Sequence, residues 1–222
     1  MLNNSNSSYF SDKYEIIIRE NKNKKDKYLD SLEKKFPNIK LIYNKKKFGF
    51  GKNHNLNFSL ISSSIRWFIV CNPDLLQLPN ILELDKYNNK YHLISPTVLN
   101  IDGSKSDFLR ADINLFNIFL RYFGFKEFRL LNNQSDMWAA SIFTIFTVDL
   151  YLKLNGYDEI FFMYCEDYDI CMRGRRFCSL EVLDKCFIHH KASRLSRRNI
   201  KLKIIHIRNL FIVIFRKIKK FY

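Results

Sequence analysis

Carboxylates and aromatic side chains crowd one run of this sequence: Gly156-Tyr157-Asp158-Glu159, then Phe161 to Cys165, then Glu166-Asp167-Tyr168-Asp169. Partial desolvation raises the pKa of a carboxylate, and a carboxylate base in an aromatic pocket can take a proton from a sugar hydroxyl. If Glu166 opens a helix, Asp169 and Arg173 share one face of it and Asp167 turns elsewhere. The same residues also suit plain helix capping, because acidic side chains are favoured in a first helical turn. A capped helix with an Asp169–Arg173 pair therefore stands beside the catalytic reading.

A second constellation is Asn72-Pro73-Asp74, directly after the apolar run Arg66 to Cys71. In open α/β sheets, ligands bind beyond the carboxyl ends of the strands. A carboxylate placed there can hold Mg²⁺ or Mn²⁺ together with a substrate diphosphate. An ordinary strand-end turn uses the same residue types. A third is Gly49-Phe50-Gly51-Lys52-Asn53-His54-Asn55, a glycine-containing entry to a helix that could approach a phosphate or a sugar. It matches neither a Walker loop nor a GxGxxG fingerprint, and taken alone a tight turn explains it better. The fourth is His189-His190, where one imidazole could complete a metal site or simply pack.

These residues need elements to position them. Glu15 to Arg19 and Ile39 to Tyr43 read as short buried strands, with a helix over Tyr28 to Phe36 between them that Pro37 ends. Arg66 to Cys71 is a third strand, and Pro73 forces the chain out of the sheet. Leu93 to Leu99 and Ser141 to Thr147 are further strands. Asp149 to Leu154 is a short helix with Asn155-Gly156 at its C-terminus. Asp102 to Gln134 is less regular and is expected to be a mobile cover over the active-site mouth. Strands alternating with helices predict an α/β domain with a mainly parallel sheet.

The chain has 222 residues, enough for one domain, and its 47% apolar content supports a sizeable core. The five cysteines, Cys71, Cys165, Cys171, Cys178 and Cys186, are odd in number and lack CxxC spacing. Neither a disulfide framework nor a zinc site is expected. The net charge of +15 calls for an anionic partner: nucleic acid, an acidic membrane or a diphosphate. No apolar run reaches the roughly twenty residues that a membrane-spanning helix needs. The polar Met1 to Ser11 does not resemble a signal peptide. From Lys191 onward there is no acidic residue, and eleven Lys and Arg stand among apolar positions. Ile200, Ile204, Ile207, Phe211, Ile214 and Ile218 form one helical stripe there, which predicts either a packed helix or an interfacial one.

Taken in order, these pieces resemble the family 2 glycosyltransferases, and within them the bacterial O-antigen rhamnosyltransferases. The stretches that carry the likeness are YEIIIRENKNKKD from Tyr14, FGFGKNHN from Phe48, WFIVCNPDL from Trp67 and NGYDEIFFMYCEDYDICMR from Asn155. His189 and the basic segment beyond it continue the match, which is thin between Asn100 and Asn133. The resemblance implies a Rossmann-like nucleotide-diphospho-sugar transferase fold of the GT-A type over residues 1–190, followed by a basic amphipathic segment over 191–222. It implies a metal-assisted, inverting transfer of a sugar such as L-rhamnose. The donor would be dTDP-rhamnose or a similar nucleotide sugar, and the acceptor an undecaprenyl-diphosphate-linked saccharide. The protein would work peripherally at the cytoplasmic face of the inner membrane, without nucleic acid.

By the same resemblance, Asp167 is the catalytic base with Glu166 beside it. Asp74, with Asn72 before it, is the metal-binding carboxylate, and His189 completes the metal or diphosphate site. Glu20 binds the nucleotide base, where the family usually has Asp, while Asn44, Gly49 and Asn53 cradle the donor. Two departures stand out. Only thirteen residues precede Tyr14, so the family's opening strand and helix are expected to be missing, leaving an open edge beside the first strand. Ala140 replaces a usual glycine near the acceptor. Rival readings are a truncated inactive relative, a paired-carboxylate hydrolase and a basic nucleic-acid-binding protein.

Overall fold

A computed structural model describes residues 14–22, 24–76, 84, 86–116, 137–189 and 199–222; of Lys185, Cys186, Phe187 and His189 it describes the backbone alone. Strand β1 (Ile16–Glu20) pairs in parallel with β2 (Ile39–Tyr43), with Ile16 opposite Ile39 and Glu20 opposite Tyr43. Helix α1 (Lys27–Lys35) joins them. Its N-cap is Asp26, whose carboxylate accepts from the Tyr28 amide at 2.9 Å, and Pro37 follows its last turn. The Tyr43 hydroxyl donates to Asp30 at 2.8 Å and ties the helix to β2.

Helix α2 (Phe50–Phe58) leads to β3 (Trp67–Cys71). The main sheet has the order β3-β7-β4-β8, with β4 at Leu93–Leu99, β7 at Phe143–Thr147 and β8 at Leu180–His189. β7 runs antiparallel to both β3 and β4, while β4 and β8 are parallel. The sheet is thus mixed, where strand–helix alternation predicted mainly parallel strands. Residues 140–142 return the chain directly into the sheet, so β7 enters against its neighbours. All five residues of β7 are buried, as befits a central strand. Pro96 lies within β4, and the register against β8 shifts between Pro96 and Thr97, where proline has no amide to offer.

Side chains alternate across this sheet into two apolar layers. Phe68, Val70, Leu93 and Phe146 face one layer with Leu150, Tyr151, Tyr157 and Tyr168. Ile94, Val98, Phe143, Ile145 and Ile188 face the other with Leu75, Leu84 and Phe108. The first layer is covered by α3 (Val148–Lys153), α4 (Glu166–Gly174) and, through Val213, α5 (Ile200–Ile218). The turn after α3 uses left-handed Asn155 and Gly156, as Asn-Gly predicted. Among the described cysteines, Cys71, Cys165, Cys171 and Cys178 are free thiols.

Three strands escaped the sequence reading. β5 (Leu109–Ala111) and β6 (Met137–Ala139) form a small antiparallel pair, with Arg110 opposite Trp138. Part of the expected mobile cover is therefore a strand; residues 117–134 of it lie outside the described residues. The whole of β8 was also missed, because its polar Glu181, Asp184 and Lys185 interrupt the apolar pattern. Between the β1–β2 pair and the main sheet lies a cavity of about 390 Å³, lined by Ile17, Asn57, Trp67, Phe68 and Ile69 among others. Among the described residues β1 has β2 as its one strand partner, and β3 has β7. The expectation for residues 1–13 lies outside the described residues.

Candidate active site

Because β3, β4 and β8 point the same way, their carboxyl ends share one edge of the sheet with the start of β7. Asn72-Pro73-Asp74 leaves β3 at this edge, and His189 ends β8 there, opposite Leu99. Two strands lie between β3 and β8, about 14 Å at ordinary strand spacing, so the strand ends alone do not bring Asp74 and His189 to one point. The side chain of His189, and all of His190, lie outside the described residues.

The turn at residues 140–142 is where three sequence motifs meet. The Asn72 amide donates to the Ile142 carbonyl at 2.9 Å. The Ser141 backbone N–H donates to the Asp167 carboxylate. The Ser141 hydroxyl lies 3.0 Å from the Tyr157 hydroxyl, which belongs to the Gly156-Tyr157 stretch. Ala140 is buried at this turn, with its amide on the Phe108 carbonyl at 2.7 Å.

Glu166 and Asp167 open α4, as expected, and the residues before them are unusual. Tyr164 and Cys165 both have left-handed backbone, at φ 71° and φ 66°. Such residues persist only where surrounding contacts hold them. Asn209 of α5 supplies the contact: its amide nitrogen donates to the carbonyls of Met163 and Tyr164, each at 2.9 Å. Asn209 is itself fully buried. One turn later, Asp169 is fully buried and accepts from Arg173 at 2.8 Å, Arg216 at 2.7 Å and the Tyr222 hydroxyl at 2.9 Å. The expected Asp169–Arg173 pair is present, but two of these three donors to Asp169 come from the C-terminal helix and the residues just after it. Arg216 also reaches Asp158 at 2.6 Å. Lys217 reaches Asp112, whose other oxygen accepts from the Tyr168 hydroxyl at 2.7 Å.

Burial pushes both carboxyls of the pair upward. For Glu166 burial acts first and the Asp167 charge second, and its Oε2 has no hydrogen-bond partner among the described residues. For Asp167 burial is opposed by the Arg110 charge and by the backbone amides of Tyr168, at 2.9 Å, and Ser141. Asp167 has the Arg110 counter-charge and more backbone donors than Glu166, which is helped only by its own backbone amide. Glu166 is therefore the more strongly raised carboxyl of the pair, and Arg110 and the amides favour the charged form of Asp167. Arg110 was not singled out from sequence. It comes from β5, in the stretch where the family likeness is thin.

On the other side of the loop, Glu20 ends β1 and accepts from the Lys22 amide at 3.1 Å. Asn44 is buried and spends its hydrogen bonds internally, on Arg19 at 3.0 Å and on Asn21 and Asn53 at 2.9 Å each. Arg19 continues to Asn57 at 2.7 Å. Gly49 has a packing reason: a Cβ there would sit 2.4 Å from the Phe162 carbonyl oxygen, which accepts from the Phe50 amide at 3.0 Å. Gly51 likewise admits Tyr157, to whose Cβ its own would be 2.5 Å. Asn55 then pins the loop, donating to the Tyr157 carbonyl and accepting from the Tyr157 amide, both at 2.9 Å. The glycine-containing motif is thereby fastened to the loop that presents Glu166 and Asp167. A cavity of about 630 Å³ opens among Asn55, Tyr151, Asn155, Glu159 and Arg173, but Asp74, Glu166 and Asp167 do not line it.

Asp74 offers a half-buried carboxylate beside Asn72. Among the described residues no group of three His, Cys, Asp or Glu converges on one point. That donor set fits a hard divalent ion that takes most of its ligands from a diphosphate and water, and does not make a closed cage.

No protein-family model matches the chain. It is 27% identical over 176 residues to the rhamnosyltransferase WbbL of Escherichia coli (strain K12), a match covering 72% of this chain and 66% of that protein. The chain thus spans just under two thirds of that relative's length. Among solved structures, TarS of S. aureus superposes with a TM-score of 0.51 at 14% identity, over 80% of this chain and 51% of that one. GalNAc-T7, solved with UDP, GalNAc and Mn²⁺, gives 0.54 at 13%, over 79% and 37%. The fold likeness and the sequence likeness agree with each other and with the motifs: the chain has the GT-A fold and is similar in sequence to a rhamnosyltransferase.

Proposed function

We propose that the protein moves a sugar, L-rhamnose, from dTDP-rhamnose or a similar nucleotide sugar to a polyprenyl-diphosphate-linked saccharide, with inversion, in surface polysaccharide synthesis. The observation that carries this reading is the meeting of the Asn72, Tyr157 and Asp167 motifs at residues 140–142, where the Ser141 amide and the Arg110 charge favour the carboxylate form of Asp167. The name of the 27% identical relative supports rhamnose as the sugar. Asp167 takes the proton of the acceptor hydroxyl as that oxygen bonds to the anomeric carbon, and the bond from that carbon to the donor diphosphate breaks. The leaving diphosphate departs with the bonding electrons. Arg110 keeps Asp167 charged before the acceptor arrives, and the Ser141 amide fixes its orientation. Asp74 and Asn72 hold the donor, and His189 is the further candidate ligand. A bound Mg²⁺ or Mn²⁺ there supplies positive charge against the leaving diphosphate.

Calorimetric titration with dTDP-rhamnose tests the donor side. With Mn²⁺ present the protein binds the donor, and Asp74→Asn weakens binding tenfold or more. Equal affinity in the variant removes Asp74 from the donor site.

A further inference from the structure

Helix α5 has two different faces. Asn209 and Val213 are fully buried, and Arg216 and Lys217 turn inward onto Asp169, Asp158 and Asp112. On the opposite side Ile200, Ile204, Ile207, Phe211, Phe215 and Ile218 are between 54% and 74% exposed. At 100° per residue these six fall within an arc of about 80°, along roughly 28 Å of helix. The stripe expected from sequence is corrected at one position: Phe215 is its outward member and Ile214 is half-buried. The charges are corrected as well, since Arg216 and Lys217 serve the fold. The exposed lysines flank the stripe: Lys201 and Lys219 lie about 100° to one side of its start and Lys203 about 60° to the other. Lys220 follows the helix end. Beside α5, the loop that Asn209 grips exposes Ile160 and Phe162, and the Ile160 carbonyl accepts from Arg208 at 3.2 Å.

We propose that the outer face of α5 docks the protein on an anionic lipid surface, with the six apolar side chains in the headgroup–acyl boundary and the flanking lysines on the phosphates. An exposed apolar stripe this long, uncovered among the described residues and edged by lysines, matches the interfacial-helix pattern and the charge of an acidic leaflet. No described helix is long and apolar enough to cross a membrane. The inner face of the same helix holds Met163 and Tyr164, so docking fixes the Glu166–Asp167 loop at a set height above the lipid. That arrangement serves an acceptor whose polyprenyl chain stays in the bilayer. The docking itself rests on the helix alone and not on the transfer reading.

Flotation with vesicles of phosphatidylcholine containing 30% phosphatidylglycerol, compared with pure phosphatidylcholine, tests it without any sugar donor. The protein floats with the anionic vesicles and tenfold less with the neutral ones. Ile207→Glu with Phe211→Glu abolishes flotation while the melting temperature holds, because both side chains are exposed. Lys201→Glu with Lys203→Glu weakens flotation to anionic vesicles. Undiminished flotation of the apolar variant overturns the proposal. So does a wild-type dimer in light scattering that the apolar variant converts to monomer without any vesicle binding by either, since the stripe then belongs to a second copy.

Discussion

The two sides of the site are held together by different chemistry. The side proposed for the donor, where β1, β2 and α2 meet, is tied by asparagine amides with one cation among them: Asn44 to Asn21 and Asn53, Asn57 to Arg19, Asn55 to Tyr157. The side proposed for the acceptor is tied by charge pairs: Asp169 between Arg173 and Arg216, Asp158 on Arg216, Asp112 on Lys217. The difference follows from what each side must hold. The acceptor side carries two consecutive left-handed residues, gripped by the Asn209 amide, and two buried carboxyls, and the charged bonds fix the helix that follows and the C-terminal helix that presents Asn209. Burial alone would pull the Arg216 pKa down, but Asp158 and Asp169 outweigh it and raise it, which marks it as a paired cation rather than a stranded one. The donor side has regular backbone and an N-terminal helix turn, and hydrogen-bonded amides suffice.

The contrast breaks first at Asp169. Asp169→Ala leaves Arg173 and Arg216 facing each other without their shared anion, and removing one partner of a buried pair costs about 3–5 kcal/mol. Urea unfolding reads this directly. A loss below about 1 kcal/mol would mean that the charged cluster is no stronger than an amide tie.

The matching change on the donor side is smaller. Asn57→Ala removes the acceptor of the Arg19 bond and is expected to cost about 1–2 kcal/mol, the value of one partly buried hydrogen bond to a charged group. A cost equal to that of Asp169→Ala would erase the distinction between the two sides.

The smallest effect is a pH dependence. Folded Glu166 keeps its proton to higher pH than it does in the unfolded chain. Between those two values the folded state binds more protons, so stability falls as pH rises. Glu166→Gln removes that penalty, and the melting temperature of the variant relative to wild type climbs by a few degrees from pH 5 to pH 8. A difference that stays constant with pH contradicts the raised carboxyl.

How much of this the sequence showed follows from sequence distance. β2 and β4 were legible to the residue because local apolar runs between turn formers define them. Asn72-Pro73-Asp74 and Glu166-Asp167 were legible because a strand end and a helix start each fit in a few residues. The expected Asp169–Arg173 contact was legible because helix geometry places i and i+4 together. Arg216 on Asp169 spans 47 positions and Asn209 on Met163 spans 46, and nothing local announces either. Arg110 was hidden for the same reason, in a three-residue strand whose partner lies beyond residues 117–136. Gly49 was read as a ligand-approach glycine, yet its immediate reason is the Phe162 carbonyl, a contact no local pattern encodes.

The central claim is that Asp167, kept ionised by Arg110 and the Ser141 amide, is the base of the transfer. The most direct measurement compares Asp167→Asn with wild type for rhamnosyl transfer from dTDP-rhamnose to a polyprenyl-diphosphate-linked N-acetylglucosamine, together with donor binding on the same samples. The expected result is a loss of turnover of about a hundredfold or more, the order expected for a general base, with donor affinity within about twofold of wild type. Turnover that survives the substitution, or donor binding that falls in step with it, would contradict the assignment.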